Sequence, residues 1–301
     1  MPFLMVRGDI AKMQTDAVVI PAAGAGQPHK IRLALCRAIM RKSFGSSAPS
    51  IIYVIVPAWT DDRNKREQLL EKAYRSALRL AVKNDLRSIA FPLLSSGNTR
   101  FAQEEAFRIA RSVITAVARR EELSVYLVLQ DHDPFIISHE LSMALTSYIA
   151  VHEPKQRQMS SAVSRLSEFV LEADEASLDE SLEDLLSCRQ ETFSQKLLSL
   201  IDQKDYRDAE VYHRANLDRR HFAKIRSNPA YAPKKNTVLA LCIALRLDLQ
   251  ESEDLLRRAG YAFSPCSHAD LIVRYFIEHG RYDIFDINEA LFYHDLPLLG
   301  Q

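Results

Sequence analysis

The sequence predicts an α/β unit with a mixed, mostly parallel sheet flanked by helices, followed by an all-α bundle. Three observations carry that expectation. Short β-branched apolar runs alternate with helical periodicity up to about residue 149. An acidic stretch then interrupts the pattern between residues 150 and 190. Beyond residue 191 the apolar repeats are all helical. Strand–helix–strand alternation gives a parallel sheet with helices on its faces, whereas helical repeats alone give a bundle.

Four runs read as buried strands because they are continuously apolar and bounded by breakers: 17–21 (AVVIP), 51–57 (IIYVIVP), 89–94 (IAFPLL) and 125–129 (VYLVL). Between them, 65–83 sets Leu69, Leu70, Ala73, Ala77, Leu78 and Leu80 on one helical stripe. Residues 103–119 do the same with Ala106, Phe107, Ala110, Val113, Ile114 and Val117. The segment 150–190 reads as an acidic, partly helical linker. In 191–301, Phe193, Leu197, Leu198, Leu200 and Ile201 form a first stripe. Helices are then expected over 208–215, over 218–226 with Asp218 as N-cap, over 237–247, over 252–259 before Gly260, over 270–279 before Gly280, and over 287–293. The expected division is therefore 1–149, 150–190 and 191–301.

Composition narrows the function classes. Of 301 residues, 47% are hydrophobic and 26% charged, a globular balance with room for two cores. Lys+Arg and Asp+Glu both number 39, so no overall field draws the chain to nucleic acid or to an anionic membrane, and any such binding needs a local patch. Cys36, Cys188, Cys242 and Cys266 are far apart and lack zinc spacing, which predicts reduced thiols and no metal. No apolar run is long enough to span a bilayer and no secretory signal is visible. A cytoplasmic protein with no cofactor is expected.

Several segments carry a family resemblance. Arg7-Gly8-Asp9-Ile10 followed by Asp16-Ala17-Val18-Val19 resembles the opening of macrodomains, the fold that binds ADP-ribose. Residues 88–97 (SIAFPLLSSG) look like that family's second signature, a strand entering a Ser/Thr-Gly loop. Pro57-Ala58-Trp59 and the run 125–129 fall where the family has a strand end and its last strand. The resemblance covers roughly residues 1–145. It implies a ligand site at the carboxyl ends of the strands. Asp9 would accept from the adenine amino group, with the Ile10 amide beside it. Ser95, Ser96, Gly97, Asn98, Thr99, Arg100 and Phe101 would cradle a pyrophosphate at a helix N-terminus. A plainer reading stays open: Asp9 as a turn residue bonding its own backbone, and Ser-Ser-Gly as a simple helix entry.

The resemblance fails where chemistry is expected. Active relatives carry N-A-A-N and a glycine-rich loop, but here Pro21-Ala22-Ala23-Gly24 stands in that place and Pro21 lacks an N–H. No G-G-G-V follows, and the spacing from Gly24 to Ile51 is shortened. Tyr53 replaces a His, Thr99 and Arg100 replace an aromatic and a Gly, and Ala102 replaces a Pro. His29 is a bystander in the shortened loop. No catalytic residue is assigned. The expected role is binding ADP-ribose or an ADP-ribosylated partner, with ADP-ribosyl or O-acetyl-ADP-ribose hydrolysis and a scaffold with a dead pocket as the alternatives.

Residues 215–226 (ANLDRRHFAKIR) resemble a Cro/C1-type helix-turn-helix, with Leu217, Phe222 and Ile225 facing inward and Asn216 in place of the turn glycine. That likeness implies Arg219 and Arg220 at base edges. Lys224, Arg226, Lys234 and Lys235 would touch the backbone. A protein partner for this basic surface is the other expectation.

Overall fold

A computed structural model describes residues 3–22, 36–43, 47–56, 62–94, 100–118, 121, 123–129, 137–154 and 191–300. By contact the chain forms two compact units. One comprises Met1–Ile137, Ala215–Arg219 and Gly300–Gln301, the other Ser138–Arg214 and Arg220–Leu299. This division places residues 138–149 with the helices, whereas the sequence reading drew the first boundary at 149. The linker expected over 150–190 lies outside the described residues from 155 onward.

The first unit is a six-stranded sheet. Its strands are β1 (Phe3–Arg7), β2 (Ala17–Ala22), β3 (Ala38–Lys42), β4 (Ser50–Ile55), β5 (Ser88–Pro92) and β6 (Ser124–Leu129), in the order β1-β6-β5-β2-β4-β3. All pairings are parallel except β3 with β4. Helices α1 (Arg63–Lys83) and α2 (Arg100–Ala118) complete the unit. The expected fold class holds: a mixed, mostly parallel sheet with helices, then an all-α region.

Sheet parity follows the sequence. Val19, Ile52, Val54, Ile89, Phe91, Val125 and Leu127 are fully buried on one face. On α1, Leu70, Ala73, Tyr74, Ala77, Leu78 and Ala81 form a fully buried stripe. On the other face Val18, Ala48, Ala90 and Val128 form a buried cluster, against which the partly buried Ile10, Met13, Ile51 and Tyr126 pack.

Two strands escaped the sequence reading. β1 and β3 are the sheet edges; FLMVR stands between Pro2 and Gly8 and went unread all the same, whereas AIMRK ends in two cations and offers no continuous apolar run. Within the first unit, Asn216 finishes the β1 edge. Its carboxamide accepts from the Phe3 N–H at 2.8 Å and donates to the Phe3 carbonyl at 2.9 Å. The left-handed φ of Asn216, 54°, is the one expected of a residue in place of glycine.

The amino end of the sheet is fastened by one polar exchange. Asp16 Oδ2 accepts from the Arg87 and Ser88 N–H groups at 2.7 and 2.9 Å, and the Asp16 N–H donates to Ser88 Oγ at 2.8 Å. β2 and β5 are thereby joined at their starts, and their pairing covers only Ala17 with Ile89 and Val18 with Ala90.

The second unit contains α3 (His139–His152), α4 (Phe193–Gln203), α5 (Asp208–Arg214), α6 (Arg219–Ser227, of which Arg219 groups with the first unit), α7 (Lys235–Ala244), α8 (Leu249–Arg258), α9 (His268–Glu278) and α10 (Ile284–Tyr293). α7 is its axis, with Thr237, Val238, Leu239, Ala240, Leu241, Cys242, Ile243 and Ala244 all buried. Capping boxes start α4 (Thr192 with Gln195) and α8 (Asp248 with Glu251), each satisfying two orphan N–H groups. α3 was not foreseen. It docks on α9 through Tyr148, whose hydroxyl donates to Glu278 Oε2 at 2.7 Å while its ring meets Tyr275 edge-on. Asn288 closes the tail, donating to the Leu299 carbonyl and accepting from its N–H. No helix among the described residues is long and apolar enough to cross a membrane.

The Asp16 clamp yields the first prediction. Asp16→Ala strips the acceptor from two strand N–H groups, at a cost of about 2 kcal/mol. Urea or thermal denaturation should show that loss, and an unchanged midpoint would refute the role given to Asp16.

Candidate functional site

Parallel sheets present their ligand sites at the carboxyl ends of the strands, where neighbouring strands send their connections in opposite directions. Here that switch point lies between β2 and β5. The chain leaves β2 toward β3 and β4, and leaves β5 toward β6. Their pairing has already stopped at Val18 and Ala90, although β2 runs on to Ala22 and β5 to Pro92. Beyond that point the strands carry Pro21 and Pro92, neither of which can donate a ladder hydrogen bond.

Asp9 stands at the carboxyl end of β1. The Gly8 N–H donates to the Leu129 carbonyl at 3.0 Å, and Gly8 adopts φ 144°, a conformation L side chains avoid. That turn delivers Asp9 as N-cap of a 3-10 turn (Ile10–Lys12), its Oδ1 accepting from the Ala11 N–H at 2.9 Å. The turn reading of Asp9 is therefore realised. The side chain is nonetheless exposed, and Oδ2 has no hydrogen bond among the described residues. Ile10, half-buried, lies over the Val18, Ala90 and Val128 cluster and so shares a sheet face with the switch point.

Ser95, Ser96, Gly97, Asn98 and Thr99 lie outside the described residues. Arg100 and Phe101 open α2, whose first-turn N–H groups have no intrahelical acceptor. His29 and the stretch 23–35 also lie outside the described residues.

The chain just past β5, at Leu94, is fixed by a residue the sequence reading missed. The Leu94 N–H donates to the Tyr74 hydroxyl oxygen at 2.8 Å, both residues being fully buried, and the Tyr74 ring packs on Phe91 at 5.4 Å between centroids. Burial pushes the Tyr74 hydroxyl far above its ordinary value, the Leu94 N–H opposing this more weakly, so it stays protonated. The signal was present: Tyr74 falls on the α1 stripe between Leu70 and Ala77. A tyrosine at a core position needs a polar partner.

The basic residues singled out in the helical part fall on α6 and at the start of α7. Arg219, Arg220, Lys224, Arg226 and Lys234 are exposed, while Phe222 and Ile225 are buried. Arg226 pairs with Asp208, and Lys235 with the buried Asp270, so these two cations reach the surface already engaged by carboxylates. Among the described residues no group of His, Cys, Asp and Glu could hold a metal ion.

The sequence profile described as Macro domain matches residues 11–110. A macro domain-containing protein of Mesorhizobium japonicum is 31% identical over 137 residues, covering 38% of this chain and 78% of that protein. An O-acetyl-ADP-ribose deacetylase of Salmonella gallinarum is 30% identical over 156 residues, covering 43% of this chain and 87% of that protein. Among solved structures, the Oceanobacillus iheyensis macrodomain with ADP is similar at 26% identity and a TM-score of 0.38, covering 42% of this chain and 83% of that one.

Tyr74→Phe keeps the ring and removes the acceptor, leaving a buried N–H unpaired. Hydrogen exchange at the Leu94 amide should accelerate by about tenfold or more. Unaltered protection would show that Tyr74 does not hold the strand end.

Proposed function

In its first unit this chain belongs to the macro domain family, and from that premise we propose that it binds ADP-ribose or an ADP-ribosylated partner at the carboxyl edge of β2 and β5, without hydrolysing it. The observation that carries the reading is the switch point between β2 and β5, whose mutual ladder ends at Val18 and Ala90 short of both carboxyl ends, with the Asp9 turn packed through Ile10 on the face that carries those two residues. Asp9 Oδ2 is the acceptor for the adenine amino group. The loop of Ser95, Ser96, Gly97, Asn98 and Thr99, continued by Arg100 and Phe101 at the start of α2, holds the pyrophosphate. Against catalysis stands Pro21, which has no N–H where the family's resemblance calls for asparagine.

Hydrolysis is the second reading, and one observation favours it: several relatives carry the name O-acetyl-ADP-ribose deacetylase. Incubating the chain with O-acetyl-ADP-ribose and measuring acetate release decides between them. Turnover would replace the binding-only reading.

The helical unit is proposed to add a helix-turn-helix-like surface for DNA or for a protein. Support comes from exposed Arg219, Arg220, Lys224 and Lys234 around buried Phe222 and Ile225.

Two outcomes are expected. Titration calorimetry with ADP-ribose should give a saturable heat that Asp9→Ala weakens about tenfold to a hundredfold, the worth of one charge-assisted hydrogen bond. Absence of heat and of thermal shift at millimolar ligand would leave a scaffold with a dead pocket. A gel shift with duplex DNA should fall steeply with salt and be lost in Arg219→Ala/Arg220→Ala. Retention by that pair of substitutions would point to a protein partner.

A further inference from the structure

A second charged feature of the first unit lies away from the strand ends. From residue 72 to residue 83, α1 carries four cations and no carboxylate in twelve residues. Lys72, Ser76, Arg79 and Lys83 recur at intervals of four, three and four, which sets them along one side of the helix. The buried stripe of Tyr74, Ala77, Leu78 and Ala81 occupies the opposite side. Lys72, Arg79 and Lys83 have no carboxylate partner among the described residues, whereas Arg75, in the same stretch, is held by Glu71.

This row does not face open solvent alone. The segment 36–38 runs beside α1 and is tied to it at two points. The Cys36 thiol donates to the Leu69 carbonyl at 3.2 Å, and the Ala38 N–H donates to Ser76 Oγ at 2.9 Å. Between this wall and α1 lies a groove of about 560 Å³, into which the wall contributes a fifth cation, Arg37, with no carboxylate in the lining. Burial raises the Cys36 thiol and the Lys72 ammonium opposes that rise, so the field of the row reaches the wall.

From Lys72 to Lys83 the row is about 16 Å long at the helix rise. A straight, unneutralised row of that length suits an extended polyanion with repeated charges better than a single phosphate. The lining holds no aromatic side chain on which a base could stack. We infer that the groove between α1 and residues 36–38 binds the phosphodiester backbone of nucleic acid, gripped by Arg37, Lys72, Arg79 and Lys83 without reading the bases. This is a site apart from both the ADP-ribose edge and the α6 surface.

The test is fluorescence anisotropy on the full chain with a labelled homopolymeric single-stranded oligonucleotide of about twelve nucleotides. Four phosphate contacts predict a fall of log K with log salt at a slope of about −3. Lys72→Glu/Arg79→Glu should weaken binding at least tenfold with an unaltered melting curve, since both residues are exposed, and Lys72→Gln/Arg79→Gln should weaken it less. Arg219→Ala/Arg220→Ala, read in parallel, separates this site from the helical one. The inference fails if the oligonucleotide does not bind, or if charge reversal on α1 leaves binding intact. It fails also if polyglutamate binds as tightly through the same residues, which would mark a site for acidic protein, or if inorganic tripolyphosphate does, which would mark a site for compact phosphate.

Discussion

The exchange between Asp16 and Ser88 is the constraint from which the first unit takes its shape. Three short hydrogen bonds join β2 to β5 at their starts, so the two strands need only two residue pairs to hold register. Their partners on the outer sides, β4 and β6, carry the remaining ladder bonds. Beyond those pairs the two strands stay side by side, and Pro21 and Pro92 bring no N–H to the ladder. A carboxylate serves well here because it accepts two backbone N–H groups at once, and charge-assisted bonds are stronger than neutral ones.

The sheet's two faces divide the labour. The face toward α1 is close-packed with large apolar groups, and Tyr74 extends that rigidity to Leu94, two residues past the end of β5. On the opposite face Val18, Ala48, Ala90 and Val128 are buried, with Ile10, Met13, Ile51 and Tyr126 packed against them. Hydrolysis needs a placed water and a group to polarise it in addition to whatever holds the ligand. Pro21 shows how the two needs part company: it continues β2 without trouble and contributes no donor.

Charge follows a similar economy. The chain is neutral in sum, yet its cations are not evenly neutralised. Arg226 and Lys235 are held by Asp208 and Asp270, and Arg75 by Glu71, while Lys72, Arg79 and Lys83 share one side of α1 with no such partner among the described residues. Of these, Lys235 neutralises a carboxylate that is buried, whereas the exposed pairs Arg226–Asp208 and Arg75–Glu71 contribute little to stability. Their main effect is to decide which cations remain available to an outside anion.

What the sequence by itself determined was the character of each element. Continuous apolar runs gave the inner strands β2, β4, β5 and β6, and helical stripes with Gly260 and Gly280 at their ends gave most of the helices, because burial and backbone conformation leave a local imprint. The positive φ of Asn216 was legible for the same reason. Tertiary structure alone decided the edge strand β3, the docking of α3 on α9, and the partners of Asp16, Tyr74 and Asn216. Each of those depends on groups outside its own segment, and a hydrogen bond between separate segments leaves no period in the chain that makes it.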